Sequence, residues 1–181
     1  MTPLISDILD ILAGLLGGAL LLRLMMQYHR APFGNPVGRF VFALTNWLVL
    51  PLRRVLPAVG RVDTASLVSA YLVELVQFSV MWLLTGQPTS FAILPMLALF
   101  GLLRLAVWWL TGLVIAYAVL SWVQSNSPVV DVLDRLCAPM LAPLRKLIPL
   151  VGGVDLSPIA FLLALRIASY ALAYLQAVAL R

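Results

Sequence analysis

Long apolar segments alternate with shorter mixed segments along the chain. The apolar segments occupy residues 4–29, 64–84, 91–123 and 156–180. Each can supply the roughly 20 apolar residues that a helix needs to cross the hydrocarbon core of a bilayer. The pattern predicts an all-α membrane protein with four transmembrane helices. The first segment begins with Asp7 and Asp10 instead of the basic start of a signal peptide, so we expect it to be retained.

The two mixed segments occupy residues 30–62 and 124–155. In each of them apolar residues recur every three or four positions, which is the spacing of one helical face. Asn35-Pro36 and Ser127-Pro128 open these stretches, and both pairs combine a capping side chain with a proline that suits the first helical position. Neither stretch is long enough to span a bilayer. We therefore expect two short amphipathic helices that lie in the membrane interface.

Three prolines bear on where the short helices end. Proline lacks an amide hydrogen and disfavours helical geometry in the residue before it. We expect Pro51 and Pro143 to end the two helices, and Pro139 to end or kink the second one earlier.

The end of the first mixed segment recurs in the second half of the chain. Residues 51–63 (PLRRVLPAVGRVD) match residues 143–155 (PLRKLIPLVGGVD) at 8 of 13 positions, with an offset of 92 and no gap. The repeat divides the chain into residues 1–90 and 91–181, each made of a span, a short helix with a basic loop, and a second span. Because each half has an even number of spans, both repeats point the same way across the membrane.

Two aspartates stand just before the second and fourth spans, Asp63 and Asp155. A carboxylate there accepts hydrogen bonds from the first free amides and suits the positive end of the helix dipole. We expect both to be helix caps, because capping requires no other residue. Gly60 and Gly152 are predicted to provide the turns that precede them.

Composition supports the membrane class. The chain of 181 residues is 63% hydrophobic and 10% charged, whereas soluble domains carry about 25% charged residues. The net charge of +5 comes from cations concentrated in the two mixed segments, which suits anionic lipid better than nucleic acid. The turn at residues 85–90 has no cation, so the positive-inside rule places both basic loops in the cytoplasm and both termini outside.

Four cations of the repeated loops are candidates for docking lipid or a partner: Arg53, Arg54, Arg145 and Lys146. A cation beside an anionic membrane surface gains about 1 kcal/mol. These residues either anchor the topology or form a docking face for lipid head groups or a cytoplasmic protein.

Four ionisable residues lie inside the spans: Arg23, Glu74, Arg104 and Arg166. Arg23 is near the cytoplasmic end and is expected to extend to the interface. Glu74 and Arg166 are related by the offset of 92, so they lie at one depth, and we predict that they form an ion pair. That pair is either a structural lock or part of a polar gate, and Gln77, one turn away, extends the polar cluster.

Other motifs are few. Gly14 and Gly18 form a GxxxG pair, which allows close helix packing within the subunit or in a homo-oligomer. Cys137 and His29 are the only residues of their types, which excludes CxxC and haem-attachment motifs. Nucleotide-binding and zinc-protease motifs are also missing from the sequence. We therefore expect a protein that is not an enzyme and has no cofactor.

A set of residues in the second repeat forms a recognisable pattern: Tyr117, Ser121, Trp122, Pro128, Pro139, Pro143, Leu144, Arg145, Pro149, Gly152, Gly153, Asp155, Ser157 and Pro158. This pattern resembles the YggT family of small bacterial and plastid membrane proteins. The first repeat departs from this pattern, with Arg61 in place of Gly153 and Arg30 in place of Trp122. A shared function would therefore rest more on the second copy.

The resemblance implies a bacterial inner-membrane protein without enzymatic activity. Family members are linked to tolerance of osmotic shock, to cell division or the nucleoid, and in plastids to cytochrome maturation. The leading hypothesis is support of the envelope under osmotic stress, with docking through the basic loops. One alternative is a small channel or transporter in which Glu74, Gln77, Arg104 and Arg166 line a polar path within an oligomer. Another is an assembly factor for a membrane cofactor protein.

Overall fold

The computed structural model describes residues 2–86, 90–123, 127–148 and 155–180. The regular elements in this part of the chain are helices: α1 (Thr2–Tyr28), α2 (Pro36–Arg53), α3 (Thr64–Thr85), α4 (Leu94–Val123), α5 (Pro128–Leu147) and α6 (Ser157–Ala179). A 3-10 turn, Phe91–Ile93, precedes α4. Helices α1, α3, α4 and α6 are long and apolar enough to cross a membrane. The predicted all-α fold with four spans is confirmed.

Each repeat contains two long helices and one short helix in the same arrangement. In the first repeat α2 packs against α1 and α3, and in the second α5 packs against α4 and α6. The repeats meet where α3 packs against α4, and the two short helices also contact each other. Helix α4 contacts both α3 and α6, which do not contact each other within the described residues.

Helices α1, α2, α3 and α4 all contribute to one buried apolar cluster. Its members are Leu20, Leu21, Val49, Ala65, Ala70 and Leu102. A β-carbon at Gly18 would lie 3.2 Å from the Trp109 side chain of α4, so the missing side chain permits this close contact. A β-carbon at Gly14, the other glycine of the GxxxG pair, would meet nothing within 4 Å. One glycine of the pair therefore packs within the subunit.

The short helices begin where the sequence predicts. The Oδ1 atom of Asn35 accepts a hydrogen bond from the amide of Gly38 at 2.8 Å, which caps α2. The hydroxyl of Ser127 accepts one from the amide of Val130 at 3.4 Å, which caps α5. A proline follows each cap, at a position where the missing amide hydrogen removes no helical hydrogen bond.

The predicted ends of the short helices are wrong. Helix α2 continues through Pro51 to Arg53, and α5 continues through Pro139 and Pro143 to Leu147. All three prolines are exposed. The buried residues of α5 are Val132, Leu133, Leu136, Cys137 and Leu141. Burial of these residues stabilises the helix and offsets the hydrogen bonds that the prolines cannot make.

Candidate functional site

The two repeats make the same ion pair at the basic end of the molecule. In the first repeat, Arg53 Nη2 at the end of α2 donates to Asp63 Oδ2. In the second, Arg145 Nε in α5 donates to Asp155 Oδ2 at 2.8 Å. Both pairs span ten residues, and the offset of 92 relates one to the other. Each pair therefore fixes the end of a short helix beside the start of a span.

Asp63 also caps α3 and is completely buried. Its Oδ1 accepts a hydrogen bond from the amide of Ser66 at 3.4 Å, and its Oδ2 accepts one from the Ser66 hydroxyl at 2.7 Å. The chain between α2 and Asp63 turns at Gly60, whose φ of 61° suits glycine. The expected turn at Gly152 lies outside the described residues. The two roles of Asp63 together join the short helix, the turn and the span.

Asp155 makes the corresponding contact in a more exposed setting. Its Oδ1 accepts a hydrogen bond from the amide of Ser157, the first residue of α6, at 2.9 Å. Partial burial acts to raise the pKa of Asp155, but the hydrogen bonds from Ser157 and Arg145 outweigh it and hold the pKa below its usual range. The Asp155 side chain is 31% exposed, whereas the Asp63 side chain is fully buried. The second ion pair therefore lies closer to solvent than the first.

A second arginine joins the first ion pair from α1. Arg23 donates to the hydroxyl of Thr45 at 2.7 Å and to Oδ1 of Asn46 at 2.8 Å, both on α2. Its Nε lies 3.7 Å from Asp63 Oδ2. Only 2% of Arg23 is exposed, so the expectation that it extends to the interface is wrong. Polar acceptors on α2 and the carboxylate of Asp63, just before α3, satisfy the guanidinium inside the protein.

Tyr117 completes the second site from α4. Its hydroxyl accepts a hydrogen bond from Arg145 Nη2 at 2.8 Å. Partial burial acts to lower the pKa of Arg145, but the contacts with Tyr117 and Asp155 outweigh it and raise that pKa above its usual value. The position equivalent to Arg23 in this repeat is Ile115. A phenol here helps to hold the basic residue, where the first repeat uses a second arginine beside the acid.

The four cations predicted to dock lipid or a partner divide into two classes. Arg53 and Arg145 are held by internal ion pairs. Arg54 and Lys146, the next residue in each repeat, are exposed. Neither makes an ion pair with any residue that the structure describes. Four more exposed cations belong to the same basic segments: Arg30, Arg39, Arg61 and Arg135.

The predicted ion pair between Glu74 and Arg166 is not formed. Glu74 is buried on α3, where its charged neighbours are Arg104 and Asp10. Arg166 is exposed on α6 and donates to its own helix, to the Tyr170 hydroxyl at 3.1 Å. The offset of 92 gives the two residues similar depth, but α3 and α6 both pack on α4 and, in the described part of the chain, do not contact each other. Similar depth did not imply proximity.

The predicted polar cluster around Glu74 has different members. The side-chain amide of Gln77 donates to Asp10 Oδ1 on α1, and Arg104 supplies a positive charge from α4. This cluster therefore joins α1, α3 and α4, and Arg166 takes no part in it.

The described residues contain no cluster of metal-ligating side chains, and their cysteine is buried. No group of three or more His, Cys, Asp or Glu side chains in this part of the chain could hold a metal ion. Burial raises the pKa of the Cys137 thiol to about 12, so this thiol stays protonated and unreactive. A cavity of about 350 Å³ between α1, α2 and α3 has an almost wholly apolar lining that includes Leu12, Trp47 and Val73.

The sequence model of the CCB3/YggT family matches the chain twice, over residues 2–84 and 96–176. The chain belongs to the CCB3/YggT family. The uncharacterized protein YggT of Escherichia coli K12 is 35% identical over 166 residues, which cover 91% of this chain and 85% of that protein. An uncharacterized protein in the proC 3′ region of Vibrio alginolyticus is 35% identical over 173 residues, which cover 94% and 91%. No solved structure matches this chain significantly.

Sequence reasoning missed the roles of Arg23 and Tyr117 in this CCB3/YggT protein. One signal for Arg23 was available: residues 30–62 hold five arginines and no acid, so Asp63 is the nearest carboxylate for several cations. Tyr117 was among the residues that carry the resemblance, but no pattern indicated which side chain it binds. Both contacts depend on how the short helices pack beside the spans.

Proposed function

We propose that this CCB3/YggT protein is a non-enzymatic protein of the bacterial inner membrane that binds anionic lipid head groups through Arg54 and Lys146. The observation that carries the proposal is that the two neighbouring cations in each repeated segment have different surroundings. The first cation of each loop is held by an aspartate, and the second is exposed at the equivalent position. The ion pairs therefore hold the backbone beside Arg54 and Lys146 in place, and these two exposed cations lie at equivalent positions of the two repeats.

The energy of this binding follows from the number of free cations. Each cation near an anionic surface contributes about 1 kcal/mol, so Arg54 and Lys146 together contribute about 2 kcal/mol. This corresponds to a preference for anionic over neutral lipid of roughly 30-fold. Because the two residues are exposed, salt should screen the preference.

Lipid association in vesicles tests this proposal. Spin-labelled phosphatidylglycerol and phosphatidylcholine would be compared by electron paramagnetic resonance, which separates lipid held by the protein from free lipid. We expect the double variant Arg54→Gln, Lys146→Gln to lose most of the preference for phosphatidylglycerol. The control Arg39→Gln, Arg135→Gln removes the same charge from unmatched exposed positions. An equal loss in both variants would mean that overall charge, and not the repeated positions, attracts the lipid.

The physiological part of the proposal is support of the envelope under osmotic stress, as the family resemblance implies. A strain that lacks this protein would be exposed to a sudden fall in osmolarity, with survival as the readout. We expect the wild-type gene to restore survival and the Arg54→Gln, Lys146→Gln variant to restore much less, at equal amounts in the membrane. If the variant restored survival fully, lipid binding through Arg54 and Lys146 would not be needed for the role in osmotic stress.

A small channel or transporter is the second candidate function. The polar groups of Asp10, Glu74, Gln77 and Arg104 within three neighbouring spans favour it. Ion flux through reconstituted vesicles tests it directly. Flux that the substitution Glu74→Gln abolishes would support the channel, and under the leading proposal we expect no flux.

A further inference from the structure

The two repeats differ in how one face of their last helix is covered. On α3 this face packs against α4, whereas the equivalent face of α6 is exposed. In the first repeat, α3 packs against α4 through Tyr71, Glu74 and Phe78. The Tyr71 hydroxyl donates to the backbone carbonyl of Pro95 at 3.1 Å. The side chains of Glu74 and Phe78 lie so close to Gly101 that a β-carbon there would collide with both. These three residues belong to the contact between the repeats.

The same positions on α6 are uncovered. Adding 92 to each number gives Leu163, Arg166 and Tyr170. Leu163 is 62% exposed and Tyr170 is 63% exposed, and Arg166 is exposed between them. Helix α6 packs only against α4 and α5 within the described residues. The face that joins the repeats within the chain therefore has nothing against it at the end of the second repeat.

Arg166 indicates what kind of partner this face requires. It lies near the middle of α6, the last candidate span. A charge at that depth is costly in lipid and usually faces protein or water. Among the described residues its contacts are with Tyr170, whose hydroxyl accepts a hydrogen bond and whose ring lies 4.9 Å from the guanidinium. Since the phenol is neutral, the positive charge of Arg166 calls for a carboxylate from outside this helix.

We propose that helix α1 of a second copy of the chain covers this face of α6. Helix α1 is the first-repeat counterpart of α4, which covers the equivalent face of α3. The counterpart of Gly101 on α1 is Leu9, which lines the apolar cavity beside α2 and α3 of its own chain, and the next residue is the exposed Asp10. At the contact within the chain, α3 supplies the acid Glu74 and α4 supplies the base Arg104. At the proposed contact the charges are reversed, because α6 supplies the base Arg166 and α1 supplies the acid Asp10.

Asp10 is suited to receive a cation from a second copy. It is exposed on α1. Within its own chain, Gln77 donates to Oδ1, and the nearby carboxylate of Glu74 repels it. A guanidinium from a neighbouring molecule would oppose that repulsion.

The proposed contact joins two different surfaces, so each copy supplies one α6 and one α1. The smallest closed assembly is a dimer with its two-fold axis along the membrane normal, in which the contact occurs twice. The two copies then have the same orientation in the membrane, as the two repeats of one chain do. The dimer would be a ring of four repeats.

Cross-linking between differently tagged chains in native membranes tests this contact. Both chains carry Cys137→Ala; one also carries Asp7→Cys, at an exposed position about one turn before Asp10, and the other carries Tyr170→Cys. We expect a disulfide between the two chains after mild oxidation when they are expressed together, at least fivefold above a control in which Trp108→Cys, an exposed position on α4, replaces Tyr170→Cys. A yield equal to that control would overturn the proposal. Cross-linking of Tyr170→Cys to itself at comparable yield would also overturn it, because α6 would then face another α6.

Charge reversal tests the ion pair separately from the packing. In the same cross-linking pair, we expect Arg166→Asp on the Tyr170→Cys chain to lower the yield at least fivefold. Adding Asp10→Arg on the Asp7→Cys chain should restore it to within twofold. Restoration shows that both variants still insert and fold. If the yield does not fall with Arg166→Asp, or falls further when both changes are present, the assigned ion pair is wrong.

Discussion

Loss of the Asp63 charge should destabilise the protein far more than loss of the Asp155 charge. Asp63 is buried between Arg53 and Arg23, and Arg23 is only 2% exposed. The substitution Asp63→Asn keeps an acceptor for the amide of Ser66 and removes the negative charge. It therefore leaves a buried arginine without its counter-ion, while the cap of α3 is largely kept.

The magnitude follows from the burial of the two sites. Removing one partner of a buried ion pair costs about 3–5 kcal/mol, whereas an exposed pair contributes about 0–1 kcal/mol. The side chains of Asp155 and Arg145 are 31% and 38% exposed, so we expect the energy of their pair to be closer to that of an exposed ion pair. We expect Asp63→Asn to cost about 3 kcal/mol and Asp155→Asn to cost about 1 kcal/mol.

Reversible unfolding in mixed micelles measures both variants. The purified proteins would be titrated with a denaturing detergent, and helix content would be followed by circular dichroism. A difference of about 2 kcal/mol between the variants corresponds to a roughly 30-fold difference in the unfolding equilibrium constant. Equal losses for Asp63→Asn and Asp155→Asn would refute the reasoning, because burial would then not decide the strength of the two pairs.

Three further predictions concern single groups. Tyr117→Phe should cost about 1 kcal/mol in the same titration, because Arg145 loses one hydrogen bond; an unchanged midpoint would contradict this. Gly38→Ala should cost about 1–3 kcal/mol, because its β-carbon would collide with the backbone of Phe33, whereas the control Gly14→Ala meets nothing within 4 Å and should be neutral or stabilising by up to about 1 kcal/mol. The pKa of Asp155 is lowered in the folded protein, so its contribution should be present above the unfolded pKa of about 4 and lost as the pH falls through the folded pKa. Unfolding curves of wild type and Asp155→Asn should therefore converge in acid, and a difference that grows as the pH falls would show that the sign is wrong.

The spans, their order and the repeat could be predicted because each rests on a local property of the sequence. A run of apolar residues is sufficient to identify a membrane helix, and the match between residues 51–63 and 143–155 is visible without a structure. The starts of the short helices were also predictable, since a cap and a proline act within one turn.

The lateral neighbours of the buried charges could not be predicted in the same way. The offset of 92 sets the depth of Glu74 and Arg166, but only the packing order shows that α4 contacts both of their helices. The contacts of Arg23 depend on α2 lying against α1, which brings Thr45 and Asn46 within reach. These are tertiary effects, and no property of the neighbouring residues in sequence encodes them.

The prolines show how packing overrides a local preference. Pro139 and Pro143 each weaken a helix in isolation, yet α5 runs through both. The apolar side of the helix is buried against its neighbours, and that burial does not depend on the missing amide hydrogens. A preference measured on isolated helices therefore gave the wrong end for both short helices.

The network around Asp63 has a consequence for how the chain is made. Its charged and capping groups, from Arg23 to Ser66, all precede the third span in the sequence. A growing chain delivers its earlier segments first, so the ribosome has supplied every group of this network before it starts α4. The network of the first repeat can therefore form while synthesis continues. Helix α3 is then already in place when α4 is made and packs against it.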